Sequence, residues 1–236
     1  MISILIPVYN YNSSNLVCEI HKQATNANIE FEIICFDDCS EKYIYENKIS
    51  TDSLPNTRII NSEKNLGRIQ ARQILSDESV YEWLLFLDAD ILPKSDKFIE
   101  HYVNTTNSDY DVVYGGFAYK KEPPNNDSIL RWKYGKTFEE IDAEKRNINP
   151  YQVIISANSF IKKSVFKKVN SKIERKSYGL DNYFAALLKQ NNISVLHINN
   201  EVYHFGLENS VVYLKKVEES IITLLWLYNE RKMVEH

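Results

Sequence analysis

The chain has only three cysteines, Cys18, Cys35 and Cys39, in 236 residues. An odd and sparse set fits a reduced, cytosolic protein better than a disulfide framework. No Cys-x-x-Cys pair occurs, so there is no zinc pattern either. No uninterrupted apolar run approaches the roughly 18 residues that a membrane span requires. The opening Met1-Ile2-Ser3-Ile4-Leu5-Ile6 lacks a basic flank and runs straight into Pro7, which reads as a first strand and not as a signal peptide. The formal net charge is −4, so no global basic field points to nucleic acid, and none is expected as a partner. Internal repeats and long low-complexity linkers are also missing. The length allows one large domain or two small ones, with a sizeable core.

What is there is organised around Trp83-Leu84-Leu85-Phe86-Leu87-Asp88-Ala89-Asp90. A short apolar run that ends abruptly in charge reads as a buried strand. Along an extended segment, side chains at i and i+2 point the same way, so Asp88 and Asp90 are placed to meet one cation at the strand end. Ligands of open parallel sheets bind at such carboxyl ends. Taken alone, the pair also fits a helix cap or a solvated turn.

Ile2–Val8 is expected as a strand, a helical face follows through Leu16, Ile20 and Ala24, and Phe31–Phe36 is a second strand ending in Asp37-Asp38-Cys39-Ser40. A short helix near Tyr43–Ile49, a brief strand at Arg58–Ile60, the turn Asn65-Leu66-Gly67 and a helix burying Ile69, Ala71, Ile74 and Leu75 lead to the Asp88 strand. This alternation predicts an α/β fold with a mostly parallel, Rossmann-like sheet flanked by helices. Beyond it, the pattern predicts a helix over Ser95–Thr105, a strand over Asp111–Phe117, a weakly packed helical stretch over Ile129–Asn149 and an apolar segment over Gln152–Ile161. That segment is interrupted by Ser156-Ala157-Asn158-Ser159, which reads equally as the lining of a site or as a strand with one wet face. Asp181 stands at the start of another helix, as a functional carboxylate or as its cap. His204 follows a late strand, as a metal ligand or as a partly buried histidine. From Leu207 onward, apolar residues at helical spacing predict one C-terminal helix. It packs on the domain, contacts a second copy, or lies on a membrane surface.

Several of these pieces, in this order, resemble one family. Pro7-Val8-Tyr9-Asn10, Asp37-Asp38-Cys39-Ser40, Asn65-Leu66-Gly67 with Ala71-Arg72-Gln73, Asp88-Ala89-Asp90, Gly179-Leu180-Asp181-Asn182 and Val202-Tyr203-His204 are together similar to the inverting family-two glycosyltransferases. The resemblance implies the A-type nucleotide-diphospho-sugar transferase fold over residues 1–206, with a nucleotide-binding half (1–92), an acceptor-binding half (93–206) and a C-terminal helical extension (207–236). It implies transfer of a hexosyl or N-acetylhexosaminyl group from a nucleotide-diphospho-sugar, a UDP-sugar by expectation, to a saccharide or glycolipid hydroxyl, in polysaccharide or glycoconjugate synthesis. The cytoplasm, or the inner face of its membrane, is the expected location.

The same resemblance implies the residue roles. Pro7, Tyr9, Asn65, Gly67, Arg72, Asp88 and Ala89 are expected around the nucleotide, with Asp37 or Asp38 accepting the N3–H of uracil. Asp90 is expected to coordinate Mn²⁺ or Mg²⁺ directly, with Asp88 at the ribose or the metal's waters and His204 completing the metal site or touching phosphate. Such a cation suits hard carboxylate oxygens and stabilises charge on a departing diphosphate. Asp181 is expected as the general base for the acceptor hydroxyl. Ser156, Asn158, Gly179, Leu180 and Asn182 are expected near acceptor or sugar. The chain departs from the family's motif at Leu180, where a Glu is usual, at Tyr183, where another acidic residue often stands, and at Gln73, which replaces an Asn. A non-catalytic binder of the same fold is the alternative. A haloacid-dehalogenase-type phosphatase would need a nucleophilic Asp on the first strand. A sugar-1-phosphate nucleotidyltransferase would need a Gly-rich basic loop after it. Neither is present.

Overall fold

The computed structural model describes residues 1–170 and 177–230. In chain order, the first half comprises β1 (Ile2–Val8), α1 (Ser14–Asn26), β2 (Phe31–Asp37), α2 (Ile44–Asp52), β3 (Thr57–Asn61), α3 (Arg68–Glu78), β4 (Trp83–Leu87), β5 (Ile91–Pro93) and α4 (Phe98–Val103). The second half comprises β6 (Val112–Tyr114), β7 (Phe117–Ala118), α5 (Ile129–Tyr134), a π-helical turn at Gly135–Glu139, α6 (Ala143–Ile148), β8 (Asn158–Lys162), α7 (Lys163–Val169), α8 (Asp181–Gln190), β9 (Val195–His197), β10 (Val202–His204) and α9 (Ser210–Asn229).

Seven strands form one sheet in the order β3-β2-β1-β4-β8-β6-β9. The first four are parallel, β8 runs antiparallel to both β4 and β6, and β9 is parallel to β6. The sheet is therefore mixed but mostly parallel, with helices on both faces. β1 feeds the core on both sides because successive side chains alternate. Ile2, Ile4, Ile6 and Val8 join α1 and α4 on one face. Leu5 joins Ala71 and Leu75 of α3 and Phe166 of α7 on the other. At β4–β8, Trp83 and Phe160 stack with ring centroids 4.5 Å apart.

Strand order reverses between β1 and β4, since β2 and β3 lie to one side and β4 to the other. That switch opens a crevice at the carboxyl ends of both strands, where such sheets take ligands.

Three local expectations change, and one strand arises where none was expected. The helix over Ser95–Thr105 shrinks to α4, of six residues. The strand over Asp111–Phe117 breaks at Gly115-Gly116 into β6 and β7, which belong to different sheets. The polar stretch 129–149 is not weakly packed: it buries Arg131 and Arg146, each bonded to acceptors from other elements. Ile91–Pro93 is a strand despite its proline, which sits at an end of the small sheet β5-β10-β7. Residues 231–236 of the expected C-terminal extension lie outside the described residues. Among the described residues no helix is long and apolar enough to cross a membrane.

Arg146 also fixes a buried histidine. Its Nη1 donates to His197 Nδ1 at 2.8 Å, so the imidazole carries its proton on Nε2 and donates to the Pro150 carbonyl at 2.9 Å. Burial, opposed by the Pro150 bond and reinforced by the Arg146 charge, pushes the His197 pKa from 6.5 down to about 4. Below pH 6.5 the unfolded chain takes up a proton that the folded chain refuses until about pH 4. Stability is therefore expected to fall by about 3 kcal/mol as pH drops through that window. Urea midpoints across the window should show the loss, and His197→Gln should flatten it.

Candidate active site

Two loops and two helix starts meet at the crevice. The loop after β2 is held by Asp38, whose Oδ1 accepts from Leu66 N–H at 2.5 Å and Oδ2 from Gly67 N–H at 2.8 Å. The Asn65 side-chain amide returns a bond to the Asp38 carbonyl at 3.2 Å. Asp38 thus docks the Asn65-Leu66-Gly67 turn against β2. The neighbouring Asp37 turns inward and closes a local loop by accepting from Ser40 N–H at 2.8 Å. Between these loops and β4 lies a cleft of about 670 Å³, lined by Pro7, Tyr9, Asp38, Asn65, Asp88 and Asp90 among others. Gly67, Arg68 and Ala89 also border it. The volume is that of a small-molecule site.

Asp88 and Asp90 do not share one face of an extended strand. β4 stops at Leu87, Asp88 follows it without regular structure and Asp90 lies in a turn, and the two face different partners. Asp88 is clamped by two guanidiniums: Arg72 Nη2 reaches Oδ1 at 2.6 Å and Arg68 Nη2 reaches Oδ2 at 2.6 Å. Asp90 faces His204, with 3.3 Å between Oδ2 and Nε2. The small sheet makes that meeting: β10 runs antiparallel to β5 with His204 opposite Ile91, and Phe205 N–H donates to the Asp90 carbonyl at 2.9 Å. Burial would raise the Asp90 pKa, but the His204 bond and charge, with Arg68 behind them, outweigh it and hold the carboxyl below its ordinary value. On the far side of His204, Nδ1 lies 3.4 Å from both Arg131 Nη2 and the Tyr119 hydroxyl.

The backbone of Gly206 presses on this centre. A Cβ there would stand 1.8 Å from Asp90 Oδ2. If Asp90 holds a divalent cation beside a nucleotide, as its sequence context leads one to expect, Gly206→Ala should displace its carboxylate and weaken cation-dependent nucleotide binding by about tenfold or more, with the fold kept. Calorimetric titration alongside circular dichroism checks this.

A second pocket of about 240 Å³ adjoins the cleft and contains Asp90, His204, Ser156, Tyr178 and Asp181. Asp181 opens α8 as its first helical residue, and the cap position belongs to Leu180. Its carboxylate is half-exposed, with Oδ2 4.0 Å from Arg68 Nη1. Gly179, at φ +88°, turns the chain into α8 and lies against Ser220 of α9. Leu180 is buried and Asn182 is exposed on the first turn. The Ser156 hydroxyl bonds Arg68 at 3.1 Å and its carbonyl bonds Arg72 at 3.1 Å. Asn158 is different. It is fully buried, and its amide is spent on Tyr102 at 2.6 Å and on the Gly116 and Asn200 carbonyls at 2.9 Å. It ties β8 to its neighbours and has no free group for a sugar.

Sequence reading missed Arg68, although it stands one helical turn before Arg72 on α3 and so shares its face. That spacing was the available signal. It also missed Arg131, Glu139, Glu208 and Lys216 in the second pocket, which arrive through long-range packing that leaves no local pattern.

The donor atoms fit a hard divalent cation. Asp90 supplies carboxylate oxygen and His204 an imidazole nitrogen, while Asp88 is already neutralised by its arginines. Among the described residues no group of three or more acidic, His or Cys side chains gathers to hold an ion unaided. Mg²⁺ and Mn²⁺ suit such a site, since they are commonly held by one or two protein groups, with substrate phosphate and water filling the remaining positions.

A family model described as glycosyl transferase family 2 matches residues 3–170. An uncharacterized glycosyltransferase of Haemophilus influenzae is 33% identical over 135 residues, covering 52% of this chain and 44% of that protein. Among solved structures, S. aureus TarS 1-349 in complex with UDP-GlcNAc superposes with a TM-score of 0.64 at 19% identity, over 89% of this chain and 59% of that one. The mannosyltransferase PcManGT from Pyrobaculum calidifontis, in complex with GDP-Man and Mn²⁺, gives 0.67 at 10% identity, over 95% of this chain and 64% of that one. At these identities the two structures speak for the fold. The chain spans less than half the length of the curated relative and about 60% of the TarS fragment.

Proposed function

The chain belongs to glycosyl transferase family 2 and has the A-type nucleotide-diphospho-sugar transferase fold, and on that footing we propose that it moves a sugar from a UDP-sugar to an acceptor hydroxyl with inversion. The observation that carries this reading is the pairing of the two pockets. A nucleotide-sized cleft at the strand switch point meets a smaller pocket at Asp90 and His204, and Asp181 also lines that pocket.

In this reading the uridine lies between Tyr9 and the Asn65–Gly67 turn. Asp38 lines that cleft, which makes it the better placed of the two carboxylates to meet uracil. Arg72 and Arg68 hold Asp88 in one orientation for the ribose. Asp90 and His204 would hold the Mn²⁺ or Mg²⁺ ion, which when bound offsets negative charge on the diphosphate. Asp181 accepts the proton of the acceptor hydroxyl as that oxygen bonds to the anomeric carbon. The bond from that carbon to the β-phosphate oxygen breaks, and its electron pair leaves with the nucleoside diphosphate. Attack from the face opposite the leaving group inverts the centre. The acceptor is a saccharide or glycolipid placed by Gly179, Leu180 and Ser156.

Incubation with a panel of nucleotide-sugars and saccharide acceptors tests this. Nucleoside diphosphate release that needs acceptor, with a product of inverted anomeric configuration by NMR, supports transfer. Binding without turnover would favour the scaffold reading, which Leu180 in the acceptor loop supports. The outer stripe of α9, with Val211, Leu214, Leu225 and Tyr228 exposed, fits peripheral membrane or homodimer contact. Sedimentation with and without vesicles separates the two.

A further inference from the structure

We propose that Lys216 of α9 binds the terminal phosphate of the donor's diphosphate and holds the charge that appears there as the nucleoside diphosphate leaves. This rests on the donor reading above. Lys216 lines the nucleotide cleft and also the pocket that contains Asp90, His204 and Asp181, so it stands where the two join. A diphosphate is to lie at that junction.

The electrostatics there call for a further cation. Asp38, Asp90 and Glu219 border the nucleotide cleft beside the arginine-paired Asp88, and the field of these three opposes a dianionic ligand. Arg68 shares the junction, but its guanidinium is already committed to Asp88 and stands beside Asp181. Among the described residues Lys216 is paired with no carboxylate but Glu208, and its ammonium stands 5.5 Å over the Tyr178 ring. Glu208 thus keeps the side chain extended into the pocket until a more highly charged anion arrives.

The helix that carries Lys216 is firmly seated. Asn209 caps α9 by accepting from Val212 N–H at 2.9 Å. Thr223 is fully buried and bonds the Ser177 hydroxyl, and Ser220 lies against Gly179. The same helix therefore presents a cation to the donor side and supports the loop that delivers Asp181.

Affinities of UDP and UMP, with GDP and GMP in parallel, measured in Mn²⁺ for wild type, Lys216→Met and Lys216→Arg, test this. The expected result is a loss of about 10- to 100-fold for the diphosphate in Lys216→Met, with the monophosphate little changed and partial recovery in Lys216→Arg. Equal losses for diphosphate and monophosphate would show a structural role for the Lys216–Glu208 pair and overturn the proposal. So would unchanged diphosphate affinity in Lys216→Met, which leaves the donor reading intact. If the wild type binds none of the four nucleotides, the donor reading itself falls and takes this assignment with it.

Discussion

Asp181→Asn is expected to lower sugar transfer by about 10²–10⁴-fold, the usual contribution of a positioned general base. Nucleoside diphosphate affinity should stay within about twofold, because Asp181 stands in the acceptor-side pocket, across the junction from the nucleotide cleft. The amide keeps the shape of the side chain and removes its capacity to take a proton. Asp181 is only the first residue of α8, and no side chain caps that helix. The substitution should therefore cost little stability. A rate loss accompanied by a lowered melting temperature would instead assign Asp181 to the fold. Single-turnover transfer, nucleotide titration and thermal unfolding on one preparation separate these outcomes.

The second large effect concerns stability as well as activity. Asp88 neutralises Arg72, which is buried, and Arg68, both at 2.6 Å. Each guanidinium is also a repulsive neighbour of the other, and burial together with the Arg68 charge already holds the Arg72 pKa below its ordinary value. Asp88→Ala would leave these two cations facing each other with one carboxylate fewer between them. Removing one partner of a buried pair typically costs about 3–5 kcal/mol. Asp88→Ala is expected to fall in the lower part of that range, because Asp88 is partly exposed to solvent. Adding Arg72→Leu should restore much of the loss without restoring activity, which urea unfolding of single and double variants would reveal.

Much of this was legible in the sequence where one local rule dominated. The apolar-rich stretches Ile2–Val8, 31–36 and Trp83–Leu87 are strands, because the four or five consecutive apolar residues within each have no wet face to offer. The turn at Asn65-Leu66-Gly67 and the helix start at Arg68 follow from Gly67, whose φ is +86°. What failed did so where tertiary context overrode local pattern. Ile91–Pro93 gave no strand signal, yet pairing with β10 makes it one and brings His204 to Asp90. Ser156-Ala157-Asn158-Ser159 gave one ambiguous signal for two different fates. Ser156 faces the arginines at the site, whereas Asn158 is locked into the sheet. The polar stretch 129–149 reads as weakly packed because nothing in its local pattern shows that Arg131 and Arg146 are buried. Arg131 instead stacks between Tyr119 and Tyr213 and reaches Glu139 at 3.0 Å. No spacing rule could place Lys216, since its neighbours in space, Tyr178 and Asp90, are distant in the chain.

In the proposed reaction a nucleoside diphosphate and a divalent cation are held together at Asp90. Calorimetric titration of the protein with UDP, GDP, CDP and dTDP, each with Mn²⁺ and with chelator, tests it most directly. UDP is expected to bind only with the metal, and Asp90→Ala is expected to abolish that dependence. Binding of all four nucleotides that is indifferent to chelator and to Asp90→Ala would contradict the account.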